Sequence, residues 1–399
     1  MKLAGLCPSR NTCWFASTIL QRTEAMEVPD YNLPEEAIAQ SPAEPRDSAR
    51  LLNALIEPPE HLRVTDLPLL AGDGDVLVVN SSRVVPARLL LRKETGGAAE
   101  VLLLEALPGR RGAWEAMVRP GRRLPPGTVL WASPVSAEGA SAAPAGVASE
   151  AGPPEARAAE TGPVPAQAVP AALVAVIEVG ERLPGGTREV RSLVGDLSGY
   201  GELALPPYIH EPLYDPERYQ TVYSERPGSV AAPTAGLHLT PAVLAACRER
   251  GANVLAVDLA VGPGTFKPIK AGQVEDHEMH SERYFVPEAT WAACQEAKRR
   301  GRRVVAVGTT SVRALESAAS TGALEGRTEL FIRPGHPFSV VDVLMTNFHQ
   351  PRSTLLVLLE AFAGERWRDL YALALGEGYR FLSFGDAMIV ARDVRATSC

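Results

Sequence analysis

The amino-acid sequence predicts two structural units, an α/β sheet and a small β-barrel. The first observation is a series of short apolar or alternating runs separated by Gly and Pro turns, a pattern typical of a barrel. These runs read DVLVVN, ARLLLRK, AAEVLLLEAL, AWEAMVRP and LVAVIEV. The second is a change from about Tyr219, where strands begin to alternate with helices. The third is size, because 399 residues exceed one typical domain and a hydrophobic content of 46% is ample for buried cores.

Helix ends in the α/β unit can be identified from the sequence. Thr240 predicts an N-cap, with Pro241 at the first helical position and Gly251 past the end. A second helix ends at Gly301, and Ser353 caps a third. The strands NVLAVDLAV, RVVAVG and FSVVDVLM alternate with these helices and are followed by GPGTF, TTSVR and TNFHQPRS. Because ligands bind outside the carboxyl ends of strands in open α/β sheets, we expect a ligand site where these polar segments meet.

Two segments are predicted to lie outside the folded cores. Residues 1–25 show no clear periodicity, and Met26 is a candidate natural start. Residues 133–172 consist almost wholly of Ala, Pro, Gly, Ser, Val and Glu, a composition that buries too little apolar surface to order itself. We therefore expect a dispensable N-terminal extension and a disordered insertion within the barrel.

Composition excludes several classes of protein. The net charge of -7 argues against a protein that binds nucleic acid with its whole surface. Any RNA contact must then be a local basic patch, for which Arg122 and Arg123 in the predicted barrel are candidates. No run approaches the ~18 apolar residues of a membrane-spanning helix, so we expect a soluble, cytoplasmic protein without a membrane partner. The five cysteines form no CxxC pair, which indicates neither a disulfide framework nor a zinc ribbon.

Two Gly-rich segments allow a ligand to approach the backbone closely. In SVAAPTAGLHLT, Thr234 and Gly236 precede His238, whose imidazole changes charge near pH 7 and can act as a base. A lone histidine of this kind is more often structural. The segment VGPGTFKP matches neither a dinucleotide fingerprint nor a Walker loop, and an ordinary turn explains it equally well. Its candidate residues are Gly262, Gly264 and Thr265.

Further motifs concentrate polar side chains. EDHEMHSE favours an acid/base cluster over a metal site, because HxxH is looser than the HExxH zincin motif. The segment AVGTTSVRALES predicts a strand, a turn and a helix, with Thr309 and Thr310 at an N-terminus that favours anions and Arg313 adding a positive charge. A capped helix with a surface arginine is the simpler alternative. The remaining candidates in these and the later motifs are Asp276, His277, His280, Glu282, Asn347, His349, Tyr379 and Asp386.

Taken together, these segments resemble the S-adenosylmethionine:tRNA ribosyltransferase-isomerase family of queuosine biosynthesis. The matching motifs include GDVLVVNSSRVVPARL, LPPYIHEPLYDPERYQTVYS, GSVAAPTAGLHLT, VGPGTFKPI, DHEMHSE, AVGTTSVRALES, TNFHQPRSTLL and YRFLSFGDAM. They occur in the family's order over residues 32–390, apart from the insertion. The resemblance implies an α/β domain, residues 26–80 and 196–399, interrupted by a small β-barrel domain, residues 81–195.

The resemblance also implies the reaction. S-adenosylmethionine, a consumed substrate, donates its ribosyl carbons to 7-aminomethyl-7-deazaguanine at the tRNA wobble position, giving epoxyqueuosine, adenine and methionine. A monomer acting without a metal or separate cofactor is implied. A base would remove a C5′ proton acidified by the sulfonium, and adenine would leave. The aminomethyl group would then attack, and epoxide formation would expel methionine.

Roles follow from this chemistry as hypotheses. His238 is the candidate base, the 276–282 cluster the proton donor to adenine, and Arg313 the anchor of the methionine carboxylate. Candidates for substrate binding are Thr234, Gly236, Gly262, Gly264, Thr265, Thr309, Thr310, Asn347, His349, Tyr379 and Asp386. Candidates for tRNA binding are Arg83, Arg88, Arg122 and Arg123.

Two positions depart from the family pattern. Ala260 stands where the family has His, and Ser81 stands where it has Asp. Because either group can carry a hydrogen bond or a proton, a paralogue with the same chemistry on another acceptor is the main alternative. A non-catalytic RNA- or nucleotide-binding protein is a second, which the retained DHEMHSE and TNFH motifs argue against. A metal hydrolase using His277 and His280 is the third, and metal analysis distinguishes it.

Overall fold

A computed structural model describes residues 27–132, 173–262, 269, 274 and 279–393. The predicted N-terminal extension and the insertion at 133–172 lie outside these ranges. Four candidate site residues also lie outside them, namely Gly264, Thr265, Asp276 and His277. Across the described ranges, every helix is too short or too polar to cross a membrane.

The described residues contain strands and helices in mixed order. The strands are β1 (Arg50–Ala54), β2 (Glu60–Arg63), β3 (Val76–Asn80), β4 (Ser82–Val84), β5 (Arg88–Lys93), β6 (Ala98–Ala106), β7 (Ala113–Arg119), β8 (Val129–Ala132), β9 (Val174–Arg182), β10 (Arg188–Ser192), β11 (Gly201–Glu202), β12 (Arg226–Ser229), β13 (Asn253–Leu259), β14 (Glu282–Phe285), β15 (Val304–Val307), β16 (Glu325–Thr328), β17 (Val343–Asn347) and β18 (Ala387–Ala391). The helices are α1 (Leu67–Leu70), α2 (Pro241–Glu249), α3 (Glu288–Arg299), α4 (Thr309–Thr321), α5 (Thr354–Ala363) and α6 (Trp367–Gly376).

A nine-stranded sheet forms the centre of the α/β domain, in the order β16-β14-β13-β3-β15-β17-β18-β1-β2. Strands β13, β3, β15 and β17 are parallel, whereas β18 and β1 run in the opposite direction. The carboxyl ends of the four parallel strands and the amino ends of β18 and β1 therefore share one edge. This confirms that the segments following β15 and β17, which begin near Thr309 and Asn347, gather at one edge of the sheet.

Strand β3 belongs to this sheet, although its sequence DVLVVN was grouped above with the barrel runs. The structure corrects that grouping. Val76 and Val78 pack into one apolar cluster, and Leu77 and Val79 pack into another on the opposite face. A strand covered on both faces is continuously apolar instead of alternating, which distinguishes β3 from strands of the barrel.

Six strands close the predicted barrel in the order β5-β6-β7-β10-β9-β8, with β8 pairing back onto β5. Burial alternates along β5, where Leu89 and Leu91 point into the barrel core. The strands occupy residues 88–192, within the predicted limits of 81–195. Ala132 at the end of β8 pairs with Val174 at the start of β9, so residues 133–172 connect two neighbouring strands.

The barrel interrupts the α/β domain at the carboxyl edge of the sheet. The chain leaves after β3 through β4 and returns through β12, and these two short strands pair in parallel. Arg327 of β16 also contacts Glu105 of β6, with 2.6 Å between nitrogen and oxygen. This confirms the predicted fold class, an α/β domain interrupted by a small β-barrel.

The predicted helix ends are confirmed. The Thr240 hydroxyl accepts the backbone N–H of Val243 at 3.2 Å, and the Ser353 hydroxyl accepts that of Leu356 at 3.2 Å. Gly251 and Gly301, each the second residue after its helix, adopt φ values of 90° and 66°, a conformation that favours glycine. The two hydroxyl caps therefore fix where α2 and α5 begin.

Candidate active site

A polar cleft lies at the carboxyl edge of the sheet, beside the end of β17. A short 3-10 helix, Thr234–His238, begins at its wall. The Thr234 hydroxyl donates to the Oδ1 atom of Asn347 at 2.9 Å, which turns the Asn347 amide nitrogen toward His238. The residues lining this cleft are Tyr208, Thr234, Asn347, Phe348, His349, Gln350, Ser353, Leu355, Leu382 and Ser383.

His238 is buried and hydrogen-bonded to the cleft wall. The Asn347 Nδ2 atom lies 3.2 Å from His238 Nε2, so Nε2 accepts and the neutral ring carries its proton on Nδ1. Burial, and to a lesser extent the charges of Arg380 and Arg46, lowers the pKa of His238 to about 4. The imidazole is therefore neutral at pH 7, as a base must be. Because Asn347 occupies Nε2, proton uptake there requires that hydrogen bond to be released, and the role of His238 as base stays a prediction.

His349 is a second neutral imidazole in this cleft. Its Nε2 atom lies 2.8 Å from the Thr346 hydroxyl, and burial lowers its pKa to about 3. Two hydrogen bonds fix the backbone of His349. Its N–H donates to the Tyr371 hydroxyl at 2.8 Å, and its carbonyl accepts from the Tyr31 hydroxyl at 2.6 Å. His349 thus presents a fixed, uncharged ring to the cleft.

A second cleft adjoins the first, and Leu355 lines both. Helix α4 begins here with Thr309 and Thr310, so its positive pole faces the cleft. Arg313, on the next turn of α4, is buried to 6% exposure. The residues lining this cleft are Met279, Thr309, Thr310, Arg313, Leu330, Phe331, Ile332, Thr354, Leu355 and Leu358.

Arg313 is only partly satisfied by its protein partners. Its Nη1 atom pairs with Glu282, its Nε atom donates to the Leu330 carbonyl at 3.2 Å, and Glu282 also accepts the Gly262 N–H at 2.8 Å. Its Nη2 atom is buried without a hydrogen-bond partner among the described residues, as is the Thr310 hydroxyl. Two unsatisfied donors beside a helix N-terminus favour an anionic group in this cleft.

The structure separates the described members of the 276–282 motif. Glu282 is buried against Arg313, whereas His280 is exposed. Asp276 and His277 lie outside the described residues. Within the described ranges, no group of three or more His, Cys, Asp or Glu side chains is arranged to hold a metal ion. The proton-donor role of this cluster stays a prediction.

Three predicted binding residues line neither cleft. Gly236 allows close approach of Tyr223, since a Cβ atom on Gly236 would lie 2.0 Å from the tyrosine hydroxyl. The Tyr379 hydroxyl lies 2.9 Å from His61 Nδ1. The Asp386 carboxylate accepts the backbone N–H groups of Arg50 and Arg380 at 2.9 and 2.8 Å, which ties the amino ends of β1 and β18 together.

Several cleft residues were not singled out by their chemistry in the sequence. Tyr208 and Ser383 face each other at 2.7 Å between hydroxyl oxygens, and Ser353 serves as both a cap and a lining residue. Leu382 lines the cleft with a φ of 68°, which costs roughly 1–2 kcal/mol in a residue other than glycine. All four lie within the family-like motifs, and those motifs were the signal that pointed to them.

The two family departures directly follow β3 and β13, at the same edge of the sheet. The Ser81 hydroxyl donates to the Val257 carbonyl at 3.2 Å, so it is used within the backbone of the sheet. The Ala260 N–H donates to the Arg283 carbonyl at 3.0 Å. Neither side chain lines the two clefts.

The four candidate tRNA-binding arginines fall into two groups. Arg83 pairs with Glu217 at 2.5 Å, and Arg88 pairs with Glu100 and Glu202 at 3.2 and 3.3 Å. Arg122 and Arg123 are exposed and form no ion pair with any described residue, so their charges are available to a partner. Neither arginine lines the two clefts, and both lie on a turn of the barrel.

Comparison with known proteins shows the family of this chain. Residues 27–390 match a family model described as queuosine biosynthesis protein. The chain belongs to the queuosine biosynthesis protein family. A relative from Thermus thermophilus, named S-adenosylmethionine:tRNA ribosyltransferase-isomerase, is 51% identical over 92% of this chain and 99% of its own length. Another of that name from Moorella thermoacetica is 45% identical over 90% of this chain and 98% of its own.

One solved structure of this family also matches. It is described as the crystal structure of S-adenosylmethionine tRNA ribosyltransferase from Thermotoga maritima. It is 32% identical, covers 90% of this chain and 99% of its own chain, and has a TM-score of 0.47.

Proposed function

We propose that this protein is an S-adenosylmethionine:tRNA ribosyltransferase-isomerase. It transfers and isomerises the ribosyl part of S-adenosylmethionine onto 7-aminomethyl-7-deazaguanine at the tRNA wobble position, forming epoxyqueuosine and releasing adenine and methionine. The observation that carries this proposal is the 51% identity to a relative of that name, which spans 99% of the relative's length. The paired clefts at the carboxyl edge of the sheet supply a site for the chemistry.

The methionine part of the donor is proposed to occupy the cleft lined by Arg313. The Nη2 atom of Arg313 and the Thr310 hydroxyl, both without a partner among the described residues, can donate to a carboxylate, and the positive pole of α4 favours its charge. Glu282 holds the guanidinium in place through its Nη1 atom. Arg313 thereby acts as the carboxylate anchor assigned to it above.

The ribosyl part is proposed to lie in the adjoining cleft, which shares Leu355 with the first. Thr234 and Asn347 present polar groups to it, and His238 stands directly behind Asn347. A neutral His238 can take the acidified C5′ proton when the donor displaces the Asn347 amide from Nε2. In this proposal, Asn347 and Thr234 orient the imidazole before the reaction.

The decisive experiment is turnover of the purified protein with S-adenosylmethionine and a tRNA that carries the 7-aminomethyl-7-deazaguanine precursor. We expect adenine, methionine and the epoxyqueuosine nucleoside in equal amounts. A tRNA carrying unmodified guanine at the same position is the matched control. If no adenine is released with either tRNA, the proposal is contradicted. If adenine is released only with another acceptor, the protein is the paralogue that Ser81 and Ala260 suggested.

The remaining expectations are proposed as properties of this enzyme. S-adenosylmethionine is consumed, and no metal or further cofactor takes part. The enzyme acts as a monomer in the cytoplasm, where tRNA substrates are available. Turnover that survives a metal chelator supports the absence of a metal from the reaction. Sedimentation of the active enzyme tests whether it is a monomer.

A further inference from the structure

The end of the barrel that points away from the α/β domain is strongly basic. Three turns meet there, residues 93–98, 119–128 and 181–188, at the far ends of β5, β7 and β9. The opposite end contacts the α/β domain through Glu105. The three turns contain six basic and two acidic residues, a local net charge of +4 in a chain whose net charge is -7. The basic residues are Lys93, Arg119, Arg122, Arg123, Arg182 and Arg188.

These residues form one continuous surface. Lys93 donates from Nζ to the Arg123 carbonyl at 3.4 Å, which joins the first turn to the second. Arg188 pairs with Arg182 in the register between β10 and β9, and this brings in the third turn. Arg119, Arg122, Arg123 and Arg182 are exposed, and none forms an ion pair with a residue in the described part of the chain.

Arg188 lies beneath this surface, at 4% exposure. Its Nη1 atom donates to the carbonyls of Gly121 and Leu124 at 3.1 and 2.5 Å, and Nη2 donates to that of Gly180 at 3.0 Å. These partners are neutral, and no carboxylate within the described ranges pairs with it. Among the described residues carbonyls alone hold this buried charge, a costly arrangement that fixes the loop in place. The loop that it holds is the one bearing Arg122 and Arg123.

We propose that this surface, the basic barrel end, binds the phosphate backbone of the tRNA, and that Arg188 is a positioning residue for it. Its exposed members are Arg119, Arg122, Arg123 and Arg182, and Lys93 is half-buried beside them. The three turns contain no aromatic side chain on which a base could stack, so the contacts are to phosphates and position the RNA without reading its sequence. The inference rests on the proposed function and adds where the tRNA is held.

The first test removes two exposed charges. Arg122→Ala with Arg123→Ala should lower the slope of log affinity against log salt by ~1.4–1.8, at ~0.7–0.9 for each phosphate contact. The matched control is Arg299→Ala with Arg300→Ala, the same change on exposed residues at the carboxyl end of α3. Affinity for tRNA is measured by fluorescence anisotropy over a series of salt concentrations. An unchanged slope in the first variant, or an equal decrease in the control, overturns the proposal.

The second test separates positioning from general stability. Arg188→Met should raise the KM for tRNA by about the factor seen for the Arg122/Arg123 variant, with the KM for S-adenosylmethionine and kcat at saturating tRNA unchanged. Combining the changes should add little, because Arg188 acts through the same loop. Arg191→Met on the same strand, an exposed residue paired with Glu178, is the control. Full additivity, or equal effects on both substrates, would contradict a positioning role.

Folding and function are controlled separately. If Arg188→Met does not fold, Arg182→Ala tests the same surface from an exposed position, and its salt slope must fall by ~0.7–0.9. Adenine release by the wild type with saturating tRNA reports on the proposed function itself. Retained release with unchanged salt slopes overturns only the basic barrel end, whereas absent release in the wild type overturns the proposed function.

Discussion

The neutrality of His238 predicts a specific loss of stability in acid. Burial lowers the pKa of this imidazole from 6.5 to about 4 in the folded protein. Between these values the unfolded chain binds a proton that the folded protein does not, so the free energy of unfolding falls as the pH falls. The contribution is fully present above pH 6.5 and is lost as the pH falls toward 4. Replacing His238 with Gln removes it.

The size of the effect follows from the same two pKa values. Each unit of difference corresponds to ~1.36 kcal/mol, so the full loss below pH 4 is about 3 kcal/mol. Near pH 5 the loss is about 2 kcal/mol. The wild type should therefore lose about 2 kcal/mol more than His238→Gln between neutral pH and pH 5. His349, whose pKa is also lowered by burial, is present in both proteins and cancels in the difference.

Urea unfolding at neutral pH and near pH 5 measures this difference. His210→Gln makes the same chemical change at an exposed position and serves as the control. An NMR titration of the His238 ring in the folded protein gives its pKa directly. If wild type and His238→Gln show the same pH dependence, the ring is protonated in the folded state without cost. Burial would then not be what keeps His238 neutral.

Three further predictions concern the insertion and the two clefts. Replacing residues 133–172 with an Asn-Gly turn should leave Tm and kcat nearly unchanged, because the flanking strands already pair at Ala132 and Val174. Loss of soluble, active protein would refute this prediction. His238→Ala should lower kcat by ~100-fold or more while S-adenosylmethionine still binds. Normal turnover would show that the proton goes elsewhere, with His277 or His280 as the next candidates. Arg313→Lys keeps the positive charge but loses the two parallel N–H groups of the guanidinium. Calorimetry should therefore show affinity for S-adenosylmethionine weakened about tenfold or more. Unchanged affinity would place the carboxylate elsewhere.

Local features of the fold were predictable because their causes lie within a few residues. The caps at Thr240 and Ser353 depend on a hydroxyl and an N–H three positions away. Alternation along β5 likewise follows from the two faces of one strand. The parallel pairing of β1 with β18 was not predicted, because it joins segments more than 300 residues apart and leaves no periodic signal in either.

The candidate site shows the same division. Its motifs, the edge of the sheet at which they gather and the family were all evident in the sequence. Only the tertiary structure decided that Glu282 holds Arg313, that Asn347 contacts His238, and that Tyr223 fills the space beside Gly236. These contacts join residues far apart in the chain, and burial sets the pKa of each group. Both depend on how the separate elements pack, which no local pattern of residues specifies.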